Sequence, residues 1–371
     1  MYDIAIIGAG PAGATLARLV GKSYKVLLID RRDFDGPPAE GPGSAKCCGG
    51  LLAPDAQKMM ALLGLGLPES VLVGPQLFTV RTIDLKEGLQ RYYQRFYINM
   101  DREKFDRWLV SLIPPEVDSR FGTHLKKCEG KENTFRLYLS QRGKTYQESA
   151  RVIVGSDGAF SSVRRNLFPG APCPEKYVAV QEWFPAEKAL PYFTTIFDTD
   201  ITDFYSWTIP KGSYLILGSA ISPHVRVAEK FKLLKNKLNN CGFEFGKPAH
   251  REGTFILRPL SVRQVVHGAD GIALIGEAAG WISPSSAEGL SYALKSALSC
   301  AESLNDGLEG FFNRYYRKTG QIRKNIIMKN LKSPFMYSPI LRKVVMSSGL
   351  LSMDVLGDVK NSPVKLNHEK L

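Results

Sequence analysis

"YDIAIIGAGPAGATLARLVGKSYKVLLID" occupies residues 2–30. Ile4–Ile7 are a short apolar run that reads as a buried strand. Gly8, Gly10 and Gly13 then form G-x-G-x-x-G where that strand gives way to a small-residue helix, predicted from Pro11 to Val20. Gly8 permits the tight turn, Gly10 lets backbone approach a pyrophosphate, and Gly13 lets helix and strand pack closely. The amides and dipole at the helix start favour phosphate. A second strand, "KVLLID", ends at Asp30, twenty residues after Gly10 and placed to accept from a ribose hydroxyl. This βαβ unit predicts a dinucleotide site. It does not by itself separate NAD from FAD.

Further along, residues 31–50 read as a long loop, and "PDAQKMMALLGLG" as a helix with Pro54 in its first turn. "QRYYQRFYINM" alternates like a strand, and "DREKFDRWLVSLI" reads as a helix capped by Asp101. Residues 117–150 look like short strands. From about 176 to 260 the pattern is mostly β with aromatic-rich strands, broken by one amphipathic helix near 225–239. A helix is predicted from about Ala287 to Leu304, and the remainder reads as helical. No internal repeat is visible.

Two later segments narrow the choice of cofactor. "VIVGSDGAFSSVRR" places Asp157-Gly158 directly after a strand, and "GIALIGEAAGWISPSSAEGLSYALKSA" places Gly276-Glu277 after another. With the first motif, this order resembles the FAD-dependent oxidoreductases of the para-hydroxybenzoate hydroxylase type over residues 1 to about 305. Those carry a G-x-G-x-x-G near the start, Asp-Gly mid-chain and Gly-Asp late. The resemblance implies FAD as cofactor, with Glu277, where Asp is commoner, on the ribityl chain. It also implies Arg102 near FAD. The cofactor set becomes Gly8, Gly10, Pro11, Ala12, Gly13, Asp30, Arg31, Cys48, Gly49, Arg102, Asp157, Gly158, Gly276, Glu277, Gly280 and Gly289.

Within that group, two stretches resemble the geranylgeranyl reductase family. "FYSWTIPKGSYLILGSA" (204–220) carries Tyr205, Trp207, Pro210, Lys211 and Gly212 in a Tyr-x-Trp-x-hydrophobic-Pro-Lys-Gly pattern. "AKCCGGLL" (45–52) carries Lys46, Cys48 and Gly49 in a Lys-x-Cys-Gly pattern, with Cys47 at its variable position. The resemblance implies hydride transfer from reduced flavin to carbon–carbon double bonds of isoprenoid chains. Tyr205, Trp207, Pro210 and Lys211 would then bind substrate. Alternating residues share a strand face, so Tyr205 and Trp207 line an apolar wall or stand as core aromatics. Lys211 steers a diphosphate or caps a turn. Cys48 is the catalytic candidate, as proton donor or as packing residue at the flavin.

Composition bounds the alternatives. At 371 residues, with 44% hydrophobic and 23% charged, the chain is that of a globular protein with more than one subdomain. No apolar run reaches a membrane span. No signal peptide is read before Tyr2, and six scattered cysteines lack a C-x-x-C spacing, so the expected location is cytoplasmic. A metal site is not expected. The net charge is +13, and Arg314–Lys343 contains nine basic and no acidic residues. This stretch, 314–343, is either a solvated helical face or a peripheral contact for anionic membrane. Nucleic acid is not expected, for want of any recognised module.

The expected fold is α/β with an α+β substrate domain: a Rossmann-like FAD-binding domain (1–75, 100–172 and 262–305), an inserted antiparallel β-sheet substrate domain (76–99 and 173–261), and a basic helical C-terminal region (306–371). Two alternatives to a reductase remain at this stage. One is an oxygen-using monooxygenase or halogenase, since "WTIP" resembles a halogenase W-x-W-x-I-P motif with Tyr205 at its first tryptophan. The other is a flavin electron relay at a membrane. No second G-x-G-x-x-G provides an NADPH domain, so electrons come from transient NAD(P)H contact or from a reduced donor protein.

Overall fold

The computed structural model describes residues 1–37, 47–131, 134–187 and 189–355. The chain opens with β1 (Tyr2–Ile7), α1 (Pro11–Val20) and β2 (Val26–Ile29). Next come β3 (Leu51–Leu52), α2 (Pro54–Leu62), β4 (Leu77–Asp84), β5 (Leu89–Asn99) and α3 (Arg102–Ser111). Four strands follow: β6 (Asp118–Arg120), β7 (Thr123–Lys131), β8 (Thr134–Gln141) and β9 (Lys144–Gly155). After α4 (Ser162–Leu167) come β10 (Glu175–Pro185), β11 (Phe193–Phe197), β12 (Ser206–Lys211), β13 (Tyr214–Ile221), α5 (Val227–Asn240) and β14 (His250–Arg258). The described chain closes with β15 (Gly268–Ala269), β16 (Ile272–Leu274), α6 (Leu290–Asn305), α7 (Phe311–Lys318), α8 (Gly320–Tyr337) and α9 (Pro339–Ser348).

These strands form two sheets. The first has the order β15-β16-β9-β1-β2-β6, extended by β8 on β9 and β7 on β8. Its centre, β16-β9-β1-β2-β6, is parallel, and parallel strands are buried on both faces. Accordingly Ile4, Ile6, Leu28 and Val154 pack under α1 and α6, while Ile7, Leu27, Ile153 and Leu274 face Trp281 and Leu137 on the other side. The second sheet has the order β14-β10-β13-β12-β11-β4-β5-β3. It departs from the expected purely antiparallel sheet at one place: β4 and β11 run parallel. The excursion of β6–β9 into the first sheet separates these two strands in sequence, so no hairpin forces them to oppose. One face of the second sheet is covered by Phe231, Leu234 and Leu238 of α5. The other carries Trp207, Ile209, Phe193 and Ala179.

Two helix starts show local sequence at work. Asp101 caps α3 by accepting from the Lys104 amide at 3.0 Å. The helix expected from Ala287 begins at Leu290 instead. Ala287 has a positive φ of 49°, which breaks helical geometry, and the Glu288 carboxylate accepts from the Ser291 amide at 2.7 Å and its hydroxyl at 2.6 Å.

The C-terminal helices span both layers. Arg342 of α9 pairs with Asp84 of β4 at 2.7 Å, both buried. Tyr337 of α8 donates to the Ser285 carbonyl at 2.7 Å. The Arg258 guanidinium lies over the rings of Phe204 and Tyr337, at 4.2 and 4.4 Å. Of the basic residues in 314–343, Arg342 is therefore engaged in packing.

Candidate active site

One continuous cavity of about 1540 Å³ runs from the glycine-rich turn after β1 to the open face of the second sheet. It exceeds the roughly 300–1,000 Å³ of a pocket for one drug-sized ligand. Gly8, Gly10, Pro11, Ala12, Asp30, Arg31, Asp157, Gly158, Gly276, Glu277 and Gly289 line one end, with Cys48, Gly49 and Arg102 also in the wall. The three strand-end turns of the first sheet therefore converge, as the separated motifs in the sequence require.

Packing explains the glycine spacing. A Cβ on Gly13 would lie 1.8 Å from the Gly8 carbonyl oxygen, so α1 seats against the turn only without one. Gly10 is different: no atom of the described chain lies within 4 Å of its Cβ position, and its φ of −70° suits any residue. Glycine there keeps space open on the cavity. A second feature points the same way. Asp157 uses Oδ2 to accept from the Ser162 amide at 2.6 Å, while its buried Oδ1 has no partner in the described chain. Burial pushes this carboxyl up. An open cradle at a helix N-terminus and an orphaned acceptor fit a bound dinucleotide with hydroxyls to donate.

A chain of charges joins this turn to the cysteine loop. The Ala9 amide donates to Asp30 Oδ2 at 2.7 Å. Arg32 bridges Asp30 (3.3 Å) and Asp106 (2.7 Å). Asp106 accepts from Arg102 Nε at 2.7 Å, and Arg102 Nη1 donates to Cys48 Sγ at 3.4 Å. The Gly50 amide donates to the same sulfur at 3.5 Å. Cys47 directs its thiol elsewhere, to the Ala179 carbonyl at 4.0 Å. Asp30, expected at a ribose, here anchors the turn and Arg32 with both oxygens. Glu277 accepts from the Leu257 amide at 3.1 Å and so ties the third turn to β14.

The far wall is read from strand register. Gln181, Gly218, Trp207, Thr195 and Thr82 stand opposite one another in a row across five strands, hence on one face. Trp207 lies directly over Gly218: a Cβ there would meet the indole Nε1 at 2.3 Å. Tyr205 and Ile209 share this face. Tyr205 donates to the Ser286 carbonyl at 2.8 Å and its ring centroid is 5.4 Å from that of Trp207. Gln181 is 2% exposed, and its Oε1 has no partner in the described chain.

Four of the expected residues do not line the cavity: Gly13, Gly280, Pro210 and Lys211. Gly280 is a turn residue with φ of +90°, its Cβ position 3.0 Å from Pro174. Pro210 presents its carbonyl to Asn99 Nδ2 at 2.7 Å. Lys211 is buried and donates to the carbonyls of Gly50 (2.9 Å) and Met100 (2.6 Å), pinning the cysteine loop to β12. A side chain so engaged caps the loop; it does not steer a diphosphate. Lys46 lies outside the described residues. Sequence reasoning missed Arg32, Asp106 and Gln181. The Arg102–Asp106 spacing of i,i+4 on a helix was the available signal for one of them.

The fold is shared with solved flavoproteins. A geranylgeranyl bacteriochlorophyll reductase-like protein from Thermoplasma acidophilum superposes with a TM-score of 0.79 at 19% identity, over 98% of this chain and 94% of that one. PqsL from Pseudomonas aeruginosa, described as a probable FAD-dependent monooxygenase, gives 0.67 at 17% identity, over 94% and 99%. The flavin-dependent brominase Bmp2 gives 0.66 at 19% identity, over 97% of each. No family model matches the chain. The chain belongs to the CbrA family: it is 41% identical to Protein CbrA of Shigella sonnei and 40% identical to that of Escherichia coli K12, in each case over 96% of this chain and 99% of the relative. Among the described residues, no helix is long and apolar enough to cross a membrane.

Burial pulls the Lys211 amine down to about 7. The unfolded chain, with a lysine near 10.4, therefore binds more protons than the folded one between about pH 7 and 10.4, and stability rises with pH across that window. Urea midpoints measured from pH 7 to 9 should climb more steeply in the wild type than in Lys211→Met. Parallel curves would show that Lys211 does not carry this linkage.

Proposed function

We propose that the protein is an FAD-dependent oxidoreductase that reduces carbon–carbon double bonds of an apolar, isoprenoid-type substrate. The observation that carries this reading is the position of Cys48. Its thiol lies in the wall of the cavity that runs from the glycine-rich turn to the aromatic sheet face, and its sulfur accepts hydrogen bonds from Arg102 Nη1 and the Gly50 amide.

FAD held by the Gly8–Gly13 turn, Asp157 and the Gly276 turn would, when reduced, supply a hydride for one alkene carbon. The second carbon needs a proton in a wall that is mostly apolar on the sheet side, and the Cys48 thiol can donate it. The thiolate left behind accepts from Arg102 Nη1 and the Gly50 amide, which lowers the cost of the transfer. Asp106 holds Arg102 by its Nε and so aims the rest of the guanidinium. Trp207, Ile209, Phe193 and Ala179 give the substrate chain an apolar bed and exclude water. NAD(P)H or a reduced protein restores the electrons.

Gly10→Val tests the cofactor part. A Cβ there meets no described protein atom within 4 Å and points into the cradle, so the variant should melt as flavin-stripped wild type does and should lack flavin, read by absorbance and by chromatography of the released cofactor. Full FAD content in this variant would contradict the site.

Anaerobic incubation of the dithionite-reduced protein with prenyl lipids and prenyl diphosphates tests the reaction. The expected product carries two added hydrogens per bond by mass. Cys48→Ala should slow its formation by about 10²–10⁴-fold, the usual worth of a positioned acid, and Cys47→Ala should leave it near wild type. Substrate-dependent oxygen uptake with a hydroxylated or halogenated product, and no anaerobic product, would replace this reading with the oxygen-using one.

A further inference from the structure

The outer face of the C-terminal helices is apolar where a surface helix is normally polar. In α8 the buried stripe is Ile322 and Ile326. The opposite side of the helix carries Ile327, Met328, Leu331 and Phe335, all exposed, with Leu331 at 64%. In α9 the buried pair is Arg342 and Met346, and the pair half a turn away, Ile340 and Val344, is 76% and 62% exposed. Leu350 and Leu351 continue the face. Single exposed apolar side chains are ordinary, but a contiguous set on two successive helices marks a contact surface.

This face adjoins the cavity mouth. Phe335, Met336, Leu350 and Leu351 are exposed and also line the cavity, as does Phe96 across from them on β5. Phe96 makes an edge-to-face pair with Phe78, itself 59% exposed.

Charge selects the partner. Of the nine cations between Arg314 and Lys343, Lys318, Lys329, Arg342 and Lys343 are paired with Glu302, Asp55, Asp84 and Glu87. Arg314 donates to backbone carbonyls, and Arg323 stacks on Tyr316. Lys324 and Lys332 have no ion-pair partner among the described residues and are both exposed; Lys324 lies opposite Ile322 and Ile326 among the apolar residues, and Lys332 flanks them. No acidic residue lies in this stretch.

We infer that the α8–α9 face docks on an anionic lipid bilayer. Its apolar side chains enter the headgroup–acyl boundary, Lys324 and Lys332 meet lipid phosphates, and the cavity mouth opens against the membrane. The consequence that an apolar substrate enters directly from the bilayer rests on the function proposed above; the docking itself does not.

Vesicle co-sedimentation of the full-length holoprotein tests it. Wild type should sediment with vesicles of phosphatidylglycerol and phosphatidylcholine, and far less with phosphatidylcholine alone. The double variant Leu331→Glu/Ile340→Glu, neither residue in the cavity wall, should lose about tenfold or more of this binding. Lys324→Gln/Lys332→Gln, wholly on the surface, should weaken it and flatten its salt dependence, so the outcome does not hang on one variant's folding. Wild type that stays in the supernatant overturns the inference. So does binding that neither variant changes. A concentration-dependent dimer abolished by Leu331→Glu/Ile340→Glu, with no vesicle binding, would assign the face to a second copy of the chain. Vesicle binding without any double-bond reduction would leave the docking standing and remove only the proposed reaction.

Discussion

The charge chain Asp30–Arg32–Asp106–Arg102 holds the site together. It begins at the Ala9 amide in the glycine-rich turn and ends at the sulfur of Cys48. Asp106 is fully buried and meets a guanidinium on each carboxylate oxygen, the arrangement in which a buried carboxylate is tolerable. Because each link is a directed hydrogen bond between charged groups, the cofactor end and the cysteine loop keep a fixed relation. Losing Asp106 would leave two cations facing each other at the core of the site.

A second tie closes the frame from the other side. Lys211, at the end of β12, reaches the carbonyls of Gly50 and Met100. The loop carrying Cys48 is thus held by the first sheet's neighbours through Arg102 and by the second sheet through Lys211. Between the ties lies the cavity, floored by the row from Gln181 to Thr82. Gly218 makes that floor flat enough for the Trp207 indole to lie on it. In this floor the Thr82 and Thr195 hydroxyls pair with each other at 3.0 Å, whereas the carbonyl oxygen of buried Gln181 has no partner in the described chain.

Much of this was legible in the sequence. The βαβ unit, the Asp157 and Gly276 turns and most helices follow from hydrophobic period and turn chemistry, which are local. Tyr205 and Trp207 share the cavity face because alternation along a strand is also local. What was not legible depends on register and on tertiary distance. Arg32 and Asp106 lie 74 residues apart. Gly218 matters only because β12 and β13 pair Trp207 with it. Lys211 reads as a turn residue at a Pro-Lys-Gly step, and only the fold shows that its amine is enclosed. The parallel pairing of β4 with β11 escaped for the same reason, since the two strands meet only after the chain has built the other sheet. The helix expected at Ala287 failed locally instead, on one left-handed residue.

The most direct measurement is the electron density of the holoprotein crystallised as purified. The account predicts FAD with its pyrophosphate at the Gly8–Gly13 turn and its ring system between the Cys48–Gly50 loop and the face carrying Trp207. A flavin whose ring lies away from Cys48, or a dinucleotide bound outside this cavity, would contradict it.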